Sequence, residues 1–196
     1  MSFFKKKSEK IIERQLWHIT LNLNARIMPL DRGDWFEDPI DELLTKMNIG
    51  VVDGGGTLQE ATGEIRYCDV EIILDEKSDE TFSKLQDVLS KFPIPKGSSL
   101  IFDDKKQAIG SVEGLALYLN GTDLAQEVYE SCDVNFVVDE LSKLLTEDFF
   151  FFSHWEGPSE TAIYIYGKSF DKMQELIKPF IEEYPLCKQS RLTQIA

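Results

Sequence analysis

Phe92-Pro93-Ile94-Pro95-Lys96-Gly97-Ser98-Ser99-Leu100 reappears further along the chain as Tyr184-Pro185-Leu186-Cys187-Lys188-Gln189-Ser190-Arg191-Leu192. Two other words recur in the same order: Leu21-Asn22-Leu23-Asn24 as Leu117-Tyr118-Leu119-Asn120, and Ile40-Asp41-Glu42-Leu43 as Val138-Asp139-Glu140-Leu141. The offsets are 92, 96 and 98 positions, so the order holds while loop lengths drift. A solenoid repeats every ~20–50 residues; so long a period fits two copies of one domain. The expected organisation is a basic N-terminal arm over residues 1–15, a first unit over 16–105 and a second over 106–196, arisen by internal duplication.

Working outward, residues 16–26 alternate, with Trp17, Ile19, Leu21, Leu23 and Ala25 on one face and His18, Thr20, Asn22, Asn24 and Arg26 on the other. Period two with one apolar face predicts a half-buried strand. Asp38 followed by Pro39 predicts a helix start, and the stripe Ile40, Leu43, Leu44, Met47 continues it until Asn48-Ile49-Gly50. Residues 51–58 and 64–74 then read as a hairpin. Gly54, Gly55 and Gly56 inside its first strand predict a bulge or a close backbone approach, since they pack no side chain. A phosphate cradle would need a strand-to-helix loop, and these glycines lie between a helix and a strand. Ser78 caps a second helix, ended by Pro93 and Pro95, and residues 98–102 form a short last strand.

The second half follows the same order. Strands are predicted over 112–120, 148–153, 161–166 and 191–195, and helices over 135–145 and 170–184, the latter bent by Pro179. The four consecutive phenylalanines Phe149 to Phe152 predict a strand covered on both faces. Each half thus reads β-α-β-β-α-β and resembles the ferredoxin-like fold, an α+β unit of antiparallel strands with helices on one face. The resemblance spans residues 16–196, implies two tandem units, and transfers no active site, because that fold hosts many unrelated functions.

Thirty-five acidic against 21 basic residues leave a net charge of −14. Such a field repels nucleic acid and anionic lipid and favours basic partners. Three cysteines without a CxxC spacing argue against a disulfide framework or structural zinc and point to the reducing cytoplasm. No apolar run approaches the ~20 residues of a membrane helix. No cofactor or metal is implied, although His18, Asp69 and Glu71 are weighed as ligands. There is no Gly-x-Ser-x-Gly word beside either histidine, so nucleophilic catalysis has little support.

Two candidate surfaces emerge. The first is the sheet face turned away from the helices: His18, Asn22, Asn24, Tyr67, Asp69 and Glu71 in the first half, and Tyr118, Asn120, Tyr164 and Tyr166 in the second. His18 is expected near Glu71 and Asn22 near Asp69. These side chains suit recognition, with tyrosines as anchors; the bland alternative is that the two sheets pack together and satisfy them internally. The second is the 26–38 connection, long for its type, with Arg26, Asp31, Arg32, Asp34 and Glu37 around Trp35 and Phe36. Hairpin residues 59–63 should rim it. Arg32 between aspartates reads as a salt-bridged turn or a substrate clamp, and Trp35 or Phe36 as a staple of the next helix.

The resulting expectation is an acidic module that binds a basic protein without catalysis, of which an immunity or antitoxin type is one form. The alternative is a small-molecule sensor with its ligand at the junction between the halves; an enzyme ranks third. Homodimerisation stays open.

Overall fold

The computed structural model describes residues 16–146 and 149–196, so the predicted basic arm lies outside the described residues. The chain is a mixed α+β fold carrying two antiparallel sheets. In the first half β1 (Trp17–Leu23) alternates buried and partly exposed residues as its period requires. β2 (Gly50–Gln59) and β3 (Ile65–Leu74) form the hairpin, and β4 (Ser98–Phe102) follows the helix α3 (Asp79–Leu89). Ser78 caps α3 by accepting from the Thr81 N–H. The strand order is β2-β3-β1-β4-β5, where β5 (Lys105–Ile109) is an edge strand the sequence reading did not include. The expected boundary after residue 105 therefore falls at the start of β5.

The largest departure lies between β1 and β2. The helix does not begin at Asp38. It starts as α1 (Pro29–Arg32), passes through a π-helical turn at Gly33–Glu37, and continues as α2 (Asp38–Met47). Pro29 suits a first helical position, where no N–H is needed. Pro39, in mid-run, cannot donate, and its ring opposes the carbonyl four residues back. The wider π turn, with the Asp38 N–H reaching back to the Gly33 carbonyl, accommodates it. Asn48, left-handed at φ 51°, ends α2.

The glycine run is both a bulge and a close approach. The β2·β3 register shifts between Val52 and Gly55, and Gly54 takes φ +97°. A Cβ on Gly55 would stand 2.3 Å from the Asp69 carbonyl oxygen and 3.1 Å from Arg32 Nε.

In the second half β6 (Glu113–Asn120), β7 (Phe149–Glu156), β8 (Glu160–Gly167) and β9 (Arg191–Gln194) form a sheet of order β7-β8-β6-β9. His154 and Trp155 sit in β7, so the hairpin tip is shorter than expected. α4 (Gln126–Ser131) was not predicted; α5 (Val134–Leu144) and α6 (Phe170–Glu183) were, and α6 carries Pro179 in its interior. Of the phenylalanine run, the side chains at 151 and 152 lie outside the described ones; Phe149 is half-buried and Phe150 is 43% exposed.

Leu21 pairs with Val70 and Leu100; Leu117 pairs with Ile163 and Leu192. Leu21 and Leu23 bury against Ile40, Leu44, Leu85 and Val88. Leu115, Leu117 and Ile163 bury against Val137, Leu141, Met173 and Ile177. Helices thus cover one face of each sheet. The other face of the second sheet, Ala116, Tyr118, Ala162, Tyr164 and Tyr166, belongs to the first half's core.

Candidate functional site

Along β1 and β3 the face without helices is built by alternation, because Leu21 and Val70 point to the core and their neighbours therefore point away. Asn22 lies opposite Asp69 and its Nδ2 donates to the carboxylate at 2.7 Å. His18 lies opposite Ile73, and Glu71 is held instead by Thr20, whose hydroxyl donates at 2.9 Å. The expected His18–Glu71 neighbourhood is thereby reduced to a diagonal. An unbulged antiparallel ladder that pairs Asn22 with Asp69 must pair Thr20 with Glu71. His18 is exposed, while Tyr67, Asp69 and Glu71 are half-buried. Val51, Leu58 and Ile101 are exposed apolar neighbours on the same face. Ser99, in β4 beside Asn22, is buried, and its hydroxyl makes no hydrogen bond. Among the described residues no three His, Cys, Asp or Glu side chains converge as a metal would require.

The tyrosine face of the second sheet is closed. Tyr118, Tyr164 and Tyr166 are 4%, 1% and 0% exposed, so they form no open surface. Their hydroxyls meet Arg26 and Glu64 of the first unit. Glu64 Oε1 accepts from Arg26 Nη1 at 2.6 Å and from the Tyr118 and Tyr164 hydroxyls at 2.7 Å each. Arg26 also donates to Tyr118 through Nη1 and to Tyr166 through its backbone N–H, the latter at 2.8 Å. Burial, reinforced by the Glu64 carboxylate, drives the Tyr164 phenol far above its ordinary range. Burial does the same to Tyr166, and burial with Glu64 raises Tyr118. Burial works to lower the Arg26 pKa, but Tyr118 and Glu64 outweigh it and the net shift is upward. Every one of these groups is matched within the chain, which makes the cluster a joint.

Asn24 and Asn120 end their respective first strands. Asn24 Nδ2 donates to the Lys96 and Ile195 carbonyls at 2.8 and 3.2 Å. Asn120 Oδ1 accepts from the Thr122 and Asp123 N–H groups at 2.9 and 2.8 Å. Both serve turns.

Of the connection after β1, Arg32 is buried and pairs with Glu37 while Nη1 donates to the Gly56 carbonyl at 2.8 Å and to Thr57 Oγ1 at 2.6 Å. It clamps the helical segment onto β2, and its partners are neither Asp31 nor Asp34. Asp34 is exposed; Trp35 is half-buried against the first core. The 59–63 hairpin does lie at this end, as the Arg26–Glu64 bond requires. Sequence reasoning missed Glu64, whose role appears only when three donors arrive from positions up to 100 residues away.

No family model matches this chain, and no curated protein matches it. Solved structures do. A protein of Bacteroides thetaiotaomicron is 14% identical over 91% of this chain and 92% of its own, with a TM-score of 0.26. An unknown protein from Galdieria sulphuraria is 12% identical, covering 92% and 96% at TM-score 0.27. The first two RRM domains of a yeast poly(U) binding protein are 9% identical, covering 93% and 99% at TM-score 0.29. At these identities and TM-scores the likenesses carry no argument about the residues of the site.

Proposed function

We propose that the protein works by binding, and that the helix-free face of the first sheet receives a basic segment of a partner protein. The observation that carries this reading is the pair Asp69 and Glu71. Each carboxylate is oriented by one neighbour, Asn22 or Thr20, and stays half-exposed on rigid strands. Fixed carboxylates with acceptor capacity left over match lysine or arginine donors. Val51, Leu58 and Ile101 supply the apolar contact that an interface core needs. A net charge of −14 would steer such a partner toward the face. Neutralising a basic protein, as an immunity or antitoxin-type protein does, is the specific form of this reading. Free Cys68, Cys132 and Cys187 accord with a reducing cytoplasm.

The halves themselves we take to be tandem ferredoxin-like copies of one unit. The support is register: Leu21 and Leu117 occupy corresponding places, and so do the strand-four partners Leu100 and Leu192.

The test immobilises the full chain, captures a partner from lysate at low salt, and washes through rising ionic strength. Exposed charge is screened over about 8 Å at physiological salt, so capture of a lysine- and arginine-rich protein should fall steeply. It should also fall for Asp69→Asn with Glu71→Gln. The same partner retained undiminished at high salt, or by that double variant, would remove the proposal.

A further inference from the structure

The three cysteines have different surroundings. Cys68 is buried in the first half, its thiol turned to the Ala25 and Ile27 carbonyls at 3.5 and 3.4 Å. Cys132 and Cys187 lie together in the second half, packed into one hydrophobic cluster. Cys132 follows α4, and α4 rests on the 3-10 turn Pro185–Cys187 beyond α6. Tyr184 joins the two cysteines. Its hydroxyl accepts at 3.2 Å from the N–H of Asp133, the residue after Cys132, and its carbonyl accepts at 3.0 Å from the Cys187 N–H.

The electrostatics agree with that placement. Burial pushes the Cys187 thiol up to about 11, and the charge of Cys132 adds to the shift. Burial also raises the Tyr184 phenol, with both thiols contributing. The two cysteines differ in access, since Cys132 is half-buried and Cys187 is 3% exposed. A reagent in solution therefore meets Cys132 first. A disulfide needs Cβ atoms about 3.5–4.5 Å apart. Cys132 is an extended residue at φ −107°, ψ 149° between α4 and α5, and Cys187 ends a single 3-10 turn. Any adjustment that closure asks for falls on short connecting backbone, outside the long helices and the sheet.

We propose that Cys132 and Cys187 form a reversible redox pair, in which a hydroperoxide oxidises Cys132 and Cys187 resolves the product into a disulfide. The Cys132 sulfur attacks the peroxide, the O–O bond breaks, and a sulfenic acid and water (or an alcohol) result. The Cys187 sulfur then attacks the sulfenic sulfur. The S–O bond breaks, the S–S bond forms, and the hydroxide leaves with the Cys187 proton as a second water. Each turn reduces one peroxide and oxidises two thiols. A thiol reductant such as glutathione reopens the bond, so the disulfide is transient in a reducing compartment. The pair lies in the second half, away from Asp69 and Glu71, so the fate of that face leaves this proposal untouched.

The experiment treats the folded full chain with a small excess of hydrogen peroxide, removes the peroxide with catalase, and unfolds the chain in the presence of N-ethylmaleimide. Intact mass and peptide mapping are the readouts. The expected product has lost two hydrogens, takes up one maleimide at Cys68, and carries a Cys132–Cys187 link. Dithiothreitol should restore all three thiols, and dilution of the protein before oxidation should leave the yield unchanged. Cys68→Ala should form the same link, and Cys132→Ser should abolish it. Cys187→Ala should stop at a sulfenic acid on Cys132, which dimedone traps. Cys187→Ser serves the same purpose if the alanine variant melts early. Peroxide that leaves three maleimide-reactive thiols would overturn the proposal. So would oxidation of Cys132 to a sulfinic acid while Cys187 stays reactive, or links that join two chains or involve Cys68.

Discussion

The helix-free faces of the two sheets occupy matching positions and carry different chemistry. Register aligns Leu21 with Leu117 and Val70 with Ile163, because each pair stands directly opposite in its sheet. From there the other positions follow. Thr20 corresponds to Ala116 and Asn22 to Tyr118 on the first strands; on the third strands Asp69 corresponds to Ala162, Glu71 to Tyr164 and Ile73 to Tyr166. The second face is covered by the first half and carries alanine and tyrosine where the first carries carboxylates and short polar groups. The first face has no such cover among the described residues and carries Asp69 and Glu71. The contrast follows from desolvation: a carboxylate taken out of water must have all its partners supplied, whereas a phenol brings a large apolar ring and one easily matched hydroxyl. The joint uses a single carboxylate, Glu64, and surrounds it with three donors.

The largest effect should come from emptying the covered position and its open counterpart in parallel. Tyr166→Ala removes a fully buried ring and should cost about 3–5 kcal/mol, by the scale of large aromatic truncations. Ile73→Ala, at the matching half-buried place on the open face, should cost no more than about half of that. Urea denaturation of the two variants settles it. Equal losses would mean that the open face is packed as tightly as the closed one, and the comparison would fail.

The elements on which this contrast rests were largely legible beforehand. Trp17 to Leu23 alternate because one face is buried, and the stripes of α2, α3, α5 and α6 mark the helices that bury it. What escaped notice had no such imprint. α4 buries none of its residues, so no stripe exists to be read. β5 is a polar edge strand, Lys-Lys-Gln-Ala-Ile, joined to β4 through Asp103 at φ 50°; its only trace was that turn. Of the site, the alternation placed every sheet-face residue on its proper side, but it could not tell a covered face from an open one. Coverage depends on how two units dock, which is a long-range property. The tyrosines themselves held the hint, since three hydroxyls on one face suit a buried joint at least as well as a surface.

A pH titration probes the covered face through the difference between the unaltered protein and a Tyr164 variant, because the buried thiols Cys68 and Cys187, also raised, contribute equally to both. Tyr118, Tyr164 and Tyr166 all have phenol pKa values raised above the usual value near 10. A raised folded-state pKa means that the stabilising difference is fully present below the unfolded pKa and is lost as pH rises through the folded one. Above pH ~10 the unfolded chain releases phenolic protons that the folded chain retains, so stability should fall by ~1.4 kcal/mol per pH unit for each such tyrosine. Thermal melts from pH 8 to 11 should decline, the buried thiols Cys68 and Cys187 contributing in both proteins, and Tyr164→Phe should decline less steeply above pH ~10. A Tyr164→Phe slope equal to that of the unaltered protein would show that this phenol ionises as readily in the folded state as in the unfolded one.

The smallest expected change belongs to the open face. Asp69→Asn with Glu71→Gln keeps shape and still lets the Asn22 amide and the Thr20 hydroxyl find a carbonyl oxygen, while two negative charges disappear. Neither carboxylate takes part in an ion pair among the described residues, so no cation is stranded. Asp69 and Glu71 lie on β3 one residue apart from Val70, and both belong to a chain with a large negative excess. Removing like charges from such a surface relieves repulsion, which offsets the small loss of charge-assisted hydrogen bonding. The net effect on unfolding free energy should stay within about 0.5 kcal/mol, the ordinary range for exposed substitutions. Chemical denaturation is the measurement. A destabilisation of 2 kcal/mol or more, on the scale of a broken buried pair, would show that these carboxylates hold the sheet together as Glu64 holds the joint. The two faces would then differ in partners and no longer in purpose.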